Sequence, residues 1–303
     1  MKVAVTGASG LIGRALTGQL RQDGDQVVTL VRRAPAGAGE IAWDPVAPRG
    51  GLSPAALQGV DVVVHLAGAG IADRRWTASY KEEIRASRVL GTRAVADLLA
   101  SMDHPPVLLT GSAIGWYGDT GGREVDESAP AGQGFLAGVV RDWEAAADPA
   151  REAGIRVVSL RTGIVLSPAG GVLARMLPPF RLGLGARLGS GGQYMSWVTL
   201  TDWVRATTFL AGAAGISGPV NITAPNPVTN AAFTAALAAA VHRPALLAIP
   251  SPVLSLALGE ATSDLLSSAR VRPRRLLAEG FEFSQADLAA ALGAELAVAG
   301  PAA

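Results

Sequence analysis

The sequence lacks cysteine altogether and contains only three histidines in 303 residues. The absence of cysteine excludes thiolate nucleophiles, disulfide bonds and thiolate metal sites together. His65, His104 and His242 lie far apart and match no metal-ligand spacing, so no metal site is predicted. A chain without cysteine fits a reducing compartment, and we expect a cytoplasmic protein.

An excess of charge of one sign is also missing, because 26 Lys and Arg residues oppose 25 Asp and Glu residues. This balance argues against a general attraction to nucleic acid or to acidic membranes. The arginine-rich stretch 270–275 is therefore interpreted as a solvated helix face. The apolar stretch 245–258 is shorter than the ~20 residues that span a bilayer, and we interpret it as core.

The first half of the chain alternates apolar strand patterns with helical patterns. Hydrophobic residues make up 49% of the sequence, which is enough for a sizeable core. Continuous apolar strands separated by helices indicate an α/β fold with a doubly wound parallel sheet, whose ligands bind at the carboxyl ends of the strands. The predicted strands are 2–6, 26–31, 60–66, 107–110 and 156–160, and the predicted helices are 11–22, 79–101 and 134–153.

Beyond residue 165 the sequence changes character and becomes rich in Gly, Pro and Arg. We therefore predict a dinucleotide-binding domain over 1–165, with its sheet completed by segments from 197–223. Residues 166–303 are expected to form mainly a smaller lobe on the substrate side. Later segments with local structure are predicted as helices over 201–213 and 230–241 and a strand over 220–223.

A glycine-rich turn lies between the first predicted strand and the first predicted helix. Glycines there allow a tight turn and close approach of backbone to a pyrophosphate, and the helix that follows offers unpaired N–H groups and the positive end of its dipole. The alternative is a tight packing turn without a ligand. The residues predicted to bind the dinucleotide are Gly7, Ser9, Gly10, Leu11, Ile12 and Gly13.

The end of the second strand indicates which dinucleotide binds. An NAD site usually has Asp or Glu there to accept from the ribose 2′-hydroxyl, but this strand ends in Arg32 and Arg33. Two guanidinium groups suit a 2′-phosphate, so NADP(H) is predicted; the alternative is a pair of solvated loop charges. Leu66, Ala67 and Gly68 follow the third strand and are expected beside the pyrophosphate and adenine ribose, unless they form a plain packing turn.

Several motifs in this order resemble a known family. Residues 6–13 together with 65–68 resemble the extended short-chain dehydrogenase/reductase superfamily. A narrower resemblance, to the atypical NAD(P)-dependent epimerase family, covers nearly the whole chain. Members of that family are nucleoside-diphosphate-sugar epimerase-like and carry a C-terminal domain of unknown function, which corresponds here to about 244–293. The motifs are Trp143–Ala147, Phe180–Gly185, Ser196-Trp197 followed by Asp202, and Pro273–Phe283.

The resemblance implies a Rossmann-like fold, NADP(H) binding and a sugar-nucleotide or other small carbonyl or hydroxyl substrate. It also implies further cofactor-binding positions at Glu83, Arg88 and Val165. Arg88 has an independent rationale as a cation near phosphate. Glu83 and Val165 rest on the resemblance alone.

The catalytic pair of the superfamily is missing. The usual chemistry needs a tyrosine and a lysine four residues later, because the lysine charge lowers the pKa of the tyrosine and its ammonium holds the nicotinamide ribose. The only lysines are Lys2 and Lys81, and neither follows a tyrosine at that spacing. Counting back from Glu144, the pair would fall at Leu136 and Val140, which are both aliphatic.

Two hydroxyl groups near the end of the fourth strand remain as tentative catalytic candidates, Ser112 and Tyr117. The alternatives are a turn or helix-cap hydroxyl for Ser112 and a packed aromatic with its hydroxyl in water for Tyr117. Arg181, Gln193 and Trp197 are tentative substrate-binding residues, unless their segment only joins the two lobes.

Two functions therefore stay open at this point. One is an NADP(H)-dependent oxidoreductase or epimerase with an atypical acid/base. The other is a non-catalytic NADPH-binding sensor or interaction protein. We expect a small-molecule substrate, no nucleic acid or membrane partner, and a monomer or homodimer.

Overall fold

The computed structural model describes residues 1–298. Its helices are α1 (Leu11–Gln22), α2 (Ala78–Ala100), α3 (Phe135–Ala145), α4 (Asp148–Glu152), α5 (Gly171–Arg181), α6 (Leu200–Gly212), α7 (Asn230–Ala240), α8 (Ser251–Leu258), α9 (Ala261–Leu265), α10 (Arg274–Ala278) and α11 (Leu288–Val298). Its strands are β1 (Lys2–Thr6), β2 (Gln26–Val31), β3 (Glu40–Ala42), β4 (Val62–His65), β5 (Val107–Ala113), β6 (Glu124–Val125), β7 (Val157–Thr162), β8 (Ile164–Leu166), β9 (Ala186–Leu188), β10 (Tyr194–Met195), β11 (Trp197–Thr199), β12 (Gly218–Ile222), β13 (Val228–Thr229), β14 (Leu247–Ile249) and β15 (Arg270–Val271).

The central sheet has seven parallel strands in the order β3-β2-β1-β4-β5-β7-β12. This is the doubly wound order, in which the chain leaves β1 in both directions, so the predicted α/β class is confirmed. Thr6, at the end of β1, lies opposite both Leu30 and His65. The carboxyl ends of three neighbouring strands therefore meet at the glycine turn.

The strands read as apolar runs because the middle of the sheet is buried. Val3, Val5 and Val63 are at most 1% exposed, as expected for a parallel sheet covered by helices. Helix α2 contributes Val95 and Leu99 to the same hydrophobic cluster. Its first turn is capped by Thr77, whose side chain accepts from the Tyr80 N–H.

Two local predictions are corrected by the structure. The predicted helix 134–153 is two helices, α3 and α4, because Pro149 in the first turn of α4 has no N–H to continue the earlier helix. The stretch 245–258 is core only in part, since Leu254 is 7% exposed but Leu246 is 90% and Leu256 is 81% exposed.

The chain forms two compact units, each assembled from separate segments. We call them the first unit, which comprises Met1–Ala113, Gly138–Arg161 and Val204–Val220, and the second unit, which comprises Ile114–Ala137, Thr162–Trp203 and Asn221–Ala303 as far as residue 298.

The second unit has its own hydrophobic cluster and several small sheets. Leu173, Phe233 and Leu292 are buried together in that cluster. The two-stranded sheets are β10 with β13, β8 with β11, β9 with β14, and β6 with β15.

The arginine-rich stretch 270–275 lies in the second unit and differs from the predicted helix face. Arg270 belongs to strand β15, which pairs with β6. Its guanidinium lies 3.5 Å from the Glu124 carboxylate, and that of Arg274 lies 3.1 Å from Asp126. The positive charge is therefore opposed locally by carboxylates of the neighbouring strand and the residues after it.

Candidate functional site: a dinucleotide cradle in the first unit

The glycine turn packs so closely that side chains are excluded from it. Gly7 has a φ of 68°, and a Cβ added there would lie 2.8 Å from the Ala67 nitrogen. A Cβ on Gly13 would overlap the Gly7 carbonyl oxygen and lie 2.8 Å from the Ala8 Cα. These glycines are therefore required by backbone contact between β1, α1 and the segment after β4, quite apart from any ligand.

The N-terminus of α1 has no side chain over it. Gly10 is the N-cap residue and supplies no side-chain hydrogen bond to the first turn. The first N–H groups of an α-helix have no partner within the helix, and together with the helix dipole they favour an anion. Leu11 and Ile12 thus present backbone N–H groups where a pyrophosphate would bind.

A buried threonine–histidine pair fixes the segment that faces this turn. The Thr6 hydroxyl oxygen accepts from the N–H groups of Leu66 at 3.0 Å and Ala67 at 3.2 Å. Its hydrogen therefore points to His65 Nδ1, which is 2.8 Å away. His65 is completely buried, and this burial lowers its pKa to about 4. A neutral imidazole that accepts at Nδ1 follows from both observations.

Arg88 lies on α2 beside Gly68. A Cβ added to Gly68 would be 3.5 Å from Arg88 Cγ and 3.7 Å from its Cζ. The side chain is half-buried, and burial lowers the pKa of its guanidinium to about 10. Its Nη1 donates to the Ile84 carbonyl at 3.0 Å, and within residues 1–298 no carboxylate forms an ion pair with it.

The two arginines after β2 have different surroundings. Arg33 donates to both oxygens of Glu40, at 2.6 and 2.8 Å, and Glu40 also accepts from the Ala36 N–H. This pairing raises the pKa of Arg33 and lowers that of Glu40. Arg32 is exposed and has no side-chain partner in the described part of the chain.

The two positions implied by resemblance alone lie in different units. Glu83 is exposed on α2, and its carboxylate lies 3.5 Å from Arg74. Val165 is half-buried in β8 of the second unit, opposite Val198 of β11. The contacts of Glu83 and Val165 give no independent support for a role in cofactor binding.

Ser112 belongs to a buried polar cluster of the first unit. Its hydroxyl donates to Glu144 Oε1 at 2.6 Å, and Arg161 donates to both oxygens of the same carboxylate, at 2.8 and 2.9 Å. Ser112, Glu144 and Arg161 are each at most 8% exposed. The Ser112 hydroxyl is thus engaged by Glu144 of α3, which Arg161 of β7 also holds, an arrangement that the sequence did not predict.

Tyr117 is buried in the second unit, and its hydroxyl donates to Asn221 Oδ1 at 2.7 Å. The alternative for Tyr117, a packed aromatic with its hydroxyl in water, is therefore right about the packing and wrong about the hydroxyl. Asn221 also donates from its side chain to the Arg272 carbonyl, and its N–H donates to Glu127 Oε1 at 3.0 Å. Tyr117 is part of a polar network within the second unit.

The tentative substrate-binding residues also belong to the second unit. The Trp197 ring is completely buried in the hydrophobic cluster, and its Nε1 donates to the Asn226 carbonyl at 3.1 Å. No exposed face is left for a substrate ring, so packing accounts for Trp197. The Gln193 side chain donates to the Leu188 carbonyl, and Arg181 ends α5.

Sites of other kinds are not found among residues 1–298. That range contains no group of acidic or histidine side chains suited to a metal ion. Nor do its helices include one with the length and apolarity needed to cross a bilayer.

A glycine turn between β1 and α1, at the meeting point of three parallel strand ends, defines a Rossmann-type dinucleotide-binding protein. Residues 3–223 match the NAD dependent epimerase/dehydratase family, and residues 249–295 match a domain of unknown function, DUF1731. The chain therefore belongs to the NAD dependent epimerase/dehydratase family, and the resemblance stated from its motifs is confirmed.

Individual relatives support the same family over nearly the whole chain. The epimerase family protein Mb2239 of Mycobacterium bovis is 49% identical over 292 residues, which is 96% of each chain. The crystal structure of human epimerase family protein SDR39U1 (isoform 2) with NADPH has a TM-score of 0.88 and 35% identity, and covers 97% of this chain and 98% of that one. A nucleoside-diphosphate sugar epimerase of Corynebacterium glutamicum has a TM-score of 0.80 and 38% identity, covering 98% of this chain and 58% of that one.

Proposed function

We propose that this protein binds NADP(H) and uses it in epimerase or oxidoreductase chemistry on a sugar nucleotide or another small molecule with a carbonyl or hydroxyl group. The human relative crystallised with NADPH and the bacterial relative described as a sugar-nucleotide epimerase support this assignment. A cytoplasmic location is part of the proposal and rests on the absence of cysteine.

The observation that carries the proposal is the half-buried cation beside the glycine turn. A guanidinium removed from water without a carboxylate partner is costly unless an anion satisfies it when bound. Arg88 is in that condition next to Gly68, in the unit that also contains the uncapped N-terminus of α1. Both features suit the diphosphate of a dinucleotide.

The glycine turn and the arginines around it, which together form the dinucleotide cradle, fit NADP(H) in distinct ways. Gly7, Gly10 and Gly13 would allow the diphosphate to approach the backbone, and α1 would supply N–H donors to it. Arg32 would bind the 2′-phosphate, since its guanidinium is exposed and unengaged. When bound, NADP(H) supplies hydride transfer, and the protein binds and orients the substrate.

The test is a comparison of NADPH and NADH affinity for the purified protein and its single-arginine variants. Arg32→Ala should weaken NADPH binding about tenfold or more and leave NADH binding nearly unchanged. Arg33→Ala should have a smaller effect, because Glu40 already occupies its guanidinium. Arg21→Ala, another exposed arginine in the last turn of α1, is the control for net charge.

Equal affinity of the wild-type protein for the two nucleotides would contradict the choice of NADP(H). Loss of binding in Arg33→Ala but not in Arg32→Ala would reverse the assignment of the 2′-phosphate partner.

A second candidate function is a non-catalytic NADPH-binding sensor or interaction protein. It is favoured by the missing Tyr-x-x-x-Lys pair and by the internal bonding of the Ser112 and Tyr117 hydroxyls. A screen of sugar nucleotides and carbonyl compounds with NADPH separates the two functions. Turnover of any compound would exclude the second candidate, whereas tight NADPH binding without turnover would favour it.

A further inference from the structure

The indole of Trp143 on α3 is held in one orientation by the structures around it. Its Nε1 donates to Thr92 Oγ1 of α2 at 2.9 Å, and both groups are buried. A Cβ added to Gly111 of β5 would lie 2.8 Å from Trp143 Cζ2, so the ring packs directly on the strand backbone. A hydrogen bond on one edge and a backbone surface beside it leave the ring little freedom to turn.

The face of this ring carries Arg88. The Arg88 Cζ lies 5.1 Å from the ring centroid, which is within the range of a cation–π contact. Gly68 adjoins the same side chain, as described above, because a Cβ there would be 3.7 Å from Arg88 Nη1. The guanidinium is therefore held between an aromatic ring and the backbone that follows β4.

Most of the hydrogen-bonding capacity of Arg88 is unused in this position. A guanidinium has five N–H donors, and the Ile84 carbonyl on the same helix accepts from Nη1. The aromatic face attracts the cation without accepting an in-plane hydrogen bond. The other N–H donors of Arg88 have no acceptor in the described chain, while Trp143 holds the guanidinium in place.

We propose that Trp143 is a positioning residue, which holds the Arg88 guanidinium ready for the diphosphate of the bound dinucleotide. This proposal rests on the proposed function, because it names how that function's cofactor is gripped. Neither Trp143 nor Thr92 touches the nucleotide in this scheme. Both act through the position of the Arg88 guanidinium, which the indole holds before binding.

The experiment measures NADPH affinity at low and high salt for Arg88→Met, Trp143→Leu and the double variant. Arg88→Met should weaken binding about tenfold or more and reduce its salt dependence, because one phosphate-binding charge is lost. Trp143→Leu should weaken binding in the same direction although it removes no charge. In the Arg88→Met background, Trp143→Leu should add no further loss, since it acts only through Arg88.

Matched variants separate positioning from general damage to the fold. Arg93→Met removes an exposed arginine of the same helix, paired with Asp97 four residues on, and should leave NADPH affinity unchanged. Trp203→Leu removes another buried indole that donates to a threonine, Thr162, and should lower stability without a specific loss of salt dependence. If Trp143→Leu does not fold, Thr92→Val, which deletes only the acceptor of the indole, should still weaken NADPH binding severalfold.

The possible failures are distinguishable. A wild-type protein that does not bind NADPH would overturn the proposed function itself. Wild-type binding together with unchanged affinity in Trp143→Leu, or in Thr92→Val where Trp143→Leu does not fold, would overturn the positioning role alone. Additive losses in the double variant would likewise overturn it, because they would show that Trp143 acts independently of Arg88.

Discussion

Two polar sites, one in each unit of this protein, differ in how the chain satisfies them. In the first unit, Arg88 is half-buried without a carboxylate and the N-terminus of α1 lacks a side-chain cap. In the second unit, Asp202 is completely buried, and its carboxylate accepts from the Ser284 N–H, the Ser284 hydroxyl and the Gln285 N–H. The charge of Arg88 is left for an anionic ligand to satisfy, whereas the Asp202 carboxylate is satisfied by the chain itself.

Internal hydrogen bonding also explains why the two candidate catalytic hydroxyls are poor markers of a site. Ser112 and Tyr117 are both buried and both donate to an internal acceptor. The groups most open to a ligand are instead backbone N–H donors and a guanidinium. The first unit is therefore well equipped to bind an anionic nucleotide, and its Ser112 hydroxyl is already engaged with Glu144.

The largest effect is expected where backbone contact itself forms the cradle. Gly13→Ala should destabilise the protein by about 3 kcal/mol and abolish NADPH binding, because its Cβ would overlap the Gly7 carbonyl and push α1 away from β1. Gly18→Ala is the matched control in the same helix. No atom lies within 4 Å of its added Cβ, so a gain of roughly 0.5 to 1 kcal/mol is expected. Urea denaturation measures the stability of both variants, and nucleotide titration measures their NADPH affinity. Equal effects of Gly13→Ala and Gly18→Ala would contradict the requirement for close backbone contact at Gly13.

Acidification should weaken the first unit through His65. The pKa of this buried imidazole is about 4, against an ordinary value of 6.5. Its contribution is complete above pH 6.5 and is lost as the pH falls towards 4, because the unfolded chain takes up the proton first. The shift corresponds to about 3 kcal/mol over that window. His65→Gln should flatten the pH dependence of the denaturation midpoint in this range, whereas His104→Gln, at an exposed position, should not. The same pH dependence in the wild-type protein and both variants would refute the role of His65.

Asp202→Asn tests the satisfied carboxylate of the second unit. The amide retains one neutral acceptor oxygen and places an NH2 donor at the other position, so at least one of the donors at Ser284 and Gln285 loses its acceptor. We expect a loss of about 2 kcal/mol in unfolding free energy, with NADPH affinity unchanged. Asp97→Asn, at a solvent-accessible position of α2, is the control. Weaker NADPH binding by Asp202→Asn at unchanged stability would contradict a purely stabilising role for Asp202.

The smallest effect concerns Glu295, a partly buried carboxyl group of the second unit near Asp202. Burial and the nearby Asp202 charge raise the pKa of Glu295 to about 7 from 4.5. Because the folded protein holds this proton more tightly, stability is present below pH 4.5 and is lost as the pH rises to about 7. Glu295→Gln should therefore stabilise the protein at alkaline pH by about 1 kcal/mol, a value reduced for partial exposure, and should do nothing at low pH. Thermal melting at both pH values tests this, with exposed Glu282→Gln as the control.

Sequence patterns located the strands well where burial on both faces makes them continuously apolar. The bounds of β1, β2 and α1 agree with the structure residue by residue, because a glycine turn and polar termini mark their ends. The division between α3 and α4 was missed because Ala-rich helical spacing continues through Pro149. Proline is tolerated in a first helical turn, so its presence alone does not tell where one helix stops.

The contact of Trp143 with Arg88 also could not be predicted from the sequence. The motif that contains Trp143 and Glu144 was recognised, but its spacing does not reveal that one residue supports Arg88 while the next accepts from Ser112 and Arg161. These partners lie far away along the chain. Val140, where the superfamily's lysine is missing, is one helical turn before Trp143, so the cation stacked on α3 comes from α2 instead.

By itself, the sequence determined the doubly wound class, the position of the glycine turn and the lack of the Tyr-x-x-x-Lys pair. These properties depend on local spacing or on simple counting, which a single chain displays directly. Only the tertiary structure decided that Arg33 is engaged by Glu40 while Arg32 is exposed, that the Ser112 and Tyr117 hydroxyls are bonded internally, and that Arg88 lies half-buried on Trp143. The physical reason is that the cost of burying a polar group depends on partners distant in sequence, and only folding brings those partners within bonding distance.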